Sequence, residues 1–143
     1  MRAKFTAADD HSQIIATMEY KLTYLARIAL LLMLTLGVYL ATIKGGPVAA
    51  ANLNDKIVHL TAFFVLALCA DYAFPRRRFD WFTTLYLLGY GLLIEIMQIF
   101  IPYRSFSLAD LAADAAGLAI YAATVLILRQ ISPPLSRRFL TGQ

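Results

Sequence analysis

Glu95 and Gln98 stand three residues apart in an apolar run, Trp81 to Ile101, that holds no other charged residue. A carboxylate in such a run costs about 3 kcal/mol or more unless partners meet it, so it marks a bundle interior or a functional site. Asp55 and His59 are spaced i,i+4 at the start of one apolar run, and Asp110 and Asp114 are spaced i,i+4 at the start of another. On helices each pair falls on one face. Three chemistries suit such a set. As an enzyme, His59 paired with Asp55 would shuttle a proton while Glu95 or Asp110 acts as acid or base, which makes His59, Glu95 and Asp110 the catalytic candidates. As a binder, Arg104 and Lys56 would meet the anionic part of a ligand, with Asp55, Gln98, Ser107 and Asp114 completing the binding candidates. As a metal centre, His59 and the carboxylates would form a reasonable donor set. The spacing matches no established metal motif, so no metal and no other cofactor is assigned. No Walker loop, CxxC pair, HExxH sequence or Ser-His-Asp order is present.

The elements that must position these residues are apolar helices. Of 143 residues, 60% are hydrophobic and 15% charged, and the mean hydropathy is +0.65. That composition belongs to a membrane protein. Four runs are long enough to cross a bilayer: Leu22 to Ile43, Ile57 to Phe74, Trp81 to Ile101, and Leu108 to about Leu128. Lys44-Gly45-Gly46-Pro47 stops the first, in which Arg27 can snorkel to the interface. Pro75 and Arg76-Arg77-Arg78 follow the second, and Asp80 is placed to cap the third, which Pro102 closes. The expected fold is all-α, a polytopic four-transmembrane-helix bundle over residues 21–130 with tails 1–20 and 131–143. A rival reading makes the first run a signal peptide with a cleavage site at Ala49-Ala50-Ala51, although that run is longer than such segments usually are. The lone Cys69 excludes an internal disulfide and reads as a packing residue.

The net charge of +4 does not indicate nucleic acid, because the basic residues flank the spans without a recognition motif. They read instead as topology signals. The N-terminal tail and first turns, the second connection and the C-terminal tail hold ten of the 13 Lys and Arg residues. Both termini are therefore expected in the cytoplasm. Asp55, His59, Glu95, Gln98, Asp110 and Asp114 then share the outer face, with Glu95 and Asp114 each roughly 9 Å inside its helix end. Ala113 and Gly117 on the fourth helix, and Gly89 and Gly91 on the third, would let backbones approach closely.

Simpler roles exist for several of these residues. Asp55 can cap the second helix, and Ser107 with Asp110 forms a capping-box pattern for the fourth. Gln98 can be interhelical glue, Arg104 an interfacial anchor, and Asp71 a partner of the nearby arginines. Lys56 is not explained by local stability, since a helix start disfavours a cation.

Asp55-Lys56-x-x-His59, Glu95-x-x-Gln98, and Arg104 followed by Ser107-x-x-Asp110 and Gly117 together resemble the VanZ-like family of small bacterial membrane proteins. The resemblance covers roughly residues 50 to 125, and Asp114 stands where such sequences often carry asparagine. It implies a role in the cell envelope, the family's namesake being associated with resistance to the glycopeptide teicoplanin. The expected localisation is a bacterial inner membrane, and the expected partners are membrane lipids and a lipid-linked cell-wall precursor. Recognition of such a precursor or lipid-linked glycan is the leading functional expectation. A membrane-embedded hydrolase or transferase on a lipid-linked substrate, and a small assembly partner of another membrane protein, are the alternatives.

Overall fold

A computed structural model describes residues 7–44, 54–75, 77 and 79–131. Ala49 to Ala51, Arg76, Arg78 and the C-terminal tail lie outside them. The described chain is all-helical: α1 Ala7–Thr42, α2 Asp55–Ala73, α3 Trp81–Ile99 and α4 Leu108–Ile131. All four are long and apolar enough to cross a membrane, as the composition led us to expect.

α1 is one unbroken helix of 36 residues. From Ala7 onward, the stretch read as a polar tail is continuous with the first span. At 1.5 Å per residue α1 is roughly 54 Å long, well beyond the hydrocarbon thickness. α2 starts one residue earlier than a cap at Asp55 would require. Asn54 holds the extended capping conformation and its side chain accepts the Lys56 backbone N–H at 3.1 Å. Asp55 is thereby the first helical residue, with its carboxylate released from capping. Asp80 does cap α3, accepting the Thr83 backbone N–H and the Thr83 hydroxyl, each at 2.9 Å. The backbone bond first, then the hydroxyl and the charge of Arg77, hold the Asp80 carboxyl below its ordinary value.

The core is a seam between α2 and α4, closed on its sides by α1 and α3. Phe63, Leu66, Ala67 and Ala70 of α2 meet Leu118, Tyr121 and Val125 of α4, and Leu87 of α3 completes the cluster. Tyr121 takes edge-on contacts from Phe64 and Phe79, with ring centroids 5.6 and 5.0 Å away. Its hydroxyl donates to Asp71 at 2.6 Å. Asp71 thus answers to a buried tyrosine across the seam. Arg27 Nε donates to the Ala73 carbonyl at 3.0 Å and satisfies the end of α2.

Glycine sets the closeness of this seam at one position. A Cβ on Gly117 would fall onto the Leu60 carbonyl oxygen and within 3.1 Å of the Phe64 backbone nitrogen. Gly91 lets α3 approach Phe63 and Asp114 in the same way. Gly89, expected to do likewise, is exposed and has no described neighbour within 4 Å of an added Cβ.

Candidate functional site

The N-terminal turns of α2 and α4 and the C-terminal turns of α3 and α1 lie at one end of the bundle. The deepest polar residues are there. Glu95 is fully buried, and Asp114, Gln98 and Asp110 are nearly so. Asp55 is exposed and His59 half-buried, so the cluster runs from the surface inward.

α4 begins with a split cap. In a capping box, Ser107 would bond the Asp110 backbone N–H while Asp110 bonds that of Ser107. The first half is present, with the Ser107 hydroxyl accepting from Asp110 N at 3.2 Å. The second is supplied by another helix, since the Ser107 N–H donates to Glu95 Oε2 at 2.6 Å. Asp110 is therefore free to turn toward α2, where its Oδ1 lies 3.5 Å from Lys56 Nζ. One turn deeper, Asp114 Oδ1 is 2.9 Å from His59 Nδ1. With Asp114 ionised and the imidazole neutral, Nδ1 carries the ring proton and Nε2 is left as the acceptor.

Donor atoms of Asp55, His59 and Asp110 lie within 4.8 Å of one another, a spacing that admits a metal ion. The sequence offered His59 and the carboxylates as a donor set but not which of them meet, because the members come from two helices with α3 between them. Two further carboxylate oxygens, Glu95 Oε1 and Asp114 Oδ2, are buried without a hydrogen-bond partner among the described residues. Gly91 is what makes room for the second of them. Buried carboxylate oxygens normally find a donor or a cation. Oxygen atoms with one imidazole suit a hard or borderline divalent ion such as Mg²⁺ or Mn²⁺.

Gln98 and Arg104 both reach α1, Gln98 as the interhelical glue its simpler reading suggested. Gln98 Nε2 donates to the Ala41 carbonyl at 3.3 Å, and the Tyr103 hydroxyl donates to that of Thr42 at 2.7 Å. One guanidinium nitrogen of Arg104 reaches the Leu40 and Ile43 carbonyls at 3.0 and 3.3 Å. Together they satisfy the successive carbonyls that end α1. The structure thus divides the sequence-derived set in two. Asp55, Lys56, His59, Glu95, Ser107, Asp110 and Asp114 gather about the start of α4, whereas Gln98 and Arg104 fasten α1 to the end of α3.

Over 77 residues the chain is 35% identical to a protein of Schizosaccharomyces pombe that carries no functional name, covering 52% of this chain and 48% of that one. The chain spans about half the length of this curated relative. No solved structure matches it. The profile of the family described as VanZ/LLP1 matches residues 3–129. That match reaches into all four helices and includes every residue of the cluster, and this protein is a member of the VanZ/LLP1 family.

Proposed function

We propose that the protein is a membrane-embedded hydrolase or transferase that works on the phosphate-bearing head of a lipid-linked glycan or cell-wall precursor, with a divalent cation in the cluster. The observation that carries this reading is the convergence of Asp55, His59 and Asp110 donor atoms within 4.8 Å. The charge balance supports it. Asp55, Glu95, Asp110 and Asp114 are acidic, and Lys56 is the described cation that reaches them, from a side chain 57% exposed. Such a pocket repels a bare phosphate, and a divalent cation reverses that sign.

A bound cation supplies Lewis-acid polarisation of a phosphoryl oxygen and an acidified water. The protein's own groups do the rest. Asp55, Asp110 and His59 Nε2 would hold the cation, and Asp114, bonded to Nδ1, fixes the His59 ring for that role. Lys56 at the rim meets the anionic head as it arrives. Glu95 positions the start of α4, and with it Asp110, through Ser107.

Recognition without turnover is the second reading, favoured by the exposed Lys56 beside a site that opens at the bundle end. In that form a bacterial inner-membrane protein with cytoplasmic termini would meet a cell-wall precursor on the outer face. Its expression would then change susceptibility to teicoplanin-type agents, in keeping with the family's namesake.

One experiment separates the two. The purified full chain is given a polyprenyl-diphosphate-linked sugar with Mg²⁺ or Mn²⁺, and both phosphate-containing products and retained substrate are measured. Turnover that needs the cation and is abolished by His59→Asn, with substrate retention kept, supports the enzyme. Retention with no product under any cation refutes it and leaves the binder.

A further inference from the structure

At the opposite end of the bundle from the acid cluster, α1, α2 and α3 leave a cavity of about 490 Å³. Its volume is within the range of small-ligand sites, ~300–1,000 Å³. Leu30, Leu34, Ala70, Phe74, Tyr86 and Leu87 supply most of the wall. The polar groups that share it are largely occupied, Asp71 by the Tyr121 hydroxyl at 2.6 Å and the Thr83 hydroxyl by Asp80 at 2.9 Å. What the cavity offers an occupant is hydrocarbon surface.

Phe74, an exposed residue of the wall, has two arginines near it, of which Arg77 lines the cavity and Arg27 lies just outside its lining. The Arg27 guanidinium lies over the Phe74 ring, 5.9 Å from the centroid. Arg77 lines the cavity, is exposed, and is tied to the same residue by its backbone N–H, 2.9 Å from the Phe74 carbonyl. A soluble anion would use the arginines and waste the apolar wall. A neutral lipid would use the wall and waste the arginines. Only a ligand with an anionic head on a hydrocarbon tail uses both, and basic pockets between transmembrane helices select anionic headgroups on this principle.

We propose that the cavity holds an acyl chain of one anionic phospholipid, with the phosphate drawn to Arg27 and Arg77. The lipid sits at the membrane face away from the acid cluster and fills the thin seam between α1 and α3. It is a structural ligand of the bundle, independent of whatever chemistry the cluster performs.

The test reconstitutes the full chain into vesicles of equal phosphatidylglycerol and phosphatidylcholine, extracts it gently and counts retained lipid by native mass spectrometry. The expected result is about one phosphatidylglycerol per chain with phosphatidylcholine depleted. Arg77→Gln, on an exposed connection outside the helices, lowers retention about fivefold. Leu30→Trp fills the cavity without changing charge and abolishes retention. Equal retention of the two lipids overturns the proposal, as does native retention by Arg77→Gln. Undiminished retention by Leu30→Trp also overturns it, because the lipid would then be held at the surface by charge alone.

Discussion

Gly117→Ala adds one methyl group and touches no candidate site residue, yet it is expected to disable the site. The new Cβ would overlap the Leu60 carbonyl oxygen and crowd the Leu60 carbonyl carbon and Phe64 nitrogen, both at 3.1 Å. All three are backbone atoms of α2, so no side chain can swing aside. The helices must part by roughly an ångström. Overpacking of this kind costs ~1–3 kcal/mol, and a backbone clash belongs at the upper end. Alanine recovers ~1 kcal/mol of helix propensity, leaving a net loss of about 2 kcal/mol. Leu60 adjoins His59, so the parting also stretches the 2.9 Å contact between His59 and Asp114. The control is Gly89→Ala, which meets no described atom within 4 Å and should be neutral or mildly stabilising. Thermal unfolding of both variants in detergent, followed by helical circular dichroism, measures the contrast. A Gly117→Ala protein as stable as the native chain, or a Gly89→Ala protein equally damaged, would refute the packing argument.

Tyr121→Phe removes the donor to Asp71, strands a buried carboxylate oxygen and should cost about 1–3 kcal/mol in the same unfolding assay. Arg104→Gln should speed amide exchange at the end of α1, around residues 40–43, while leaving α2 and α4 protected; unchanged exchange there would count against its capping role. The Asp80 cap predicts an acid-sensitive α3. Because the folded carboxyl titrates below its ordinary value, its stabilisation is complete above that value and is lost as pH falls through the lowered one. Asp80→Ala should flatten this part of the stability-pH profile, and Asp80→Asn, which can still accept the Thr83 bond, should keep much of the stability without the pH dependence.

The spans were legible because length and apolarity alone demand them, and the Asp80 cap because a cap is a local contact. What the sequence concealed is pairing between helices. Arg104 beside an acidic set looks like a ligand arginine until α1 is seen to end against it. Asn54 and Asp55 are both good caps, and only the fold decides that Asn54 takes the role. The split cap of α4 has the largest consequence. Had Asp110 closed its own capping box, its carboxylate would point back at Ser107, and the triad with Asp55 and His59 would not form. Glu95, fully buried on α3, takes that bond instead. One buried carboxylate thus does a structural job that leaves another free to face α2. Glu95→Gln, which can still accept the Ser107 N–H, should then preserve cation binding far better than Glu95→Leu, which cannot. Electron paramagnetic resonance titration with Mn²⁺ distinguishes them. Equal loss in both would mean that the Glu95 charge, rather than its hydrogen bond, sustains the site.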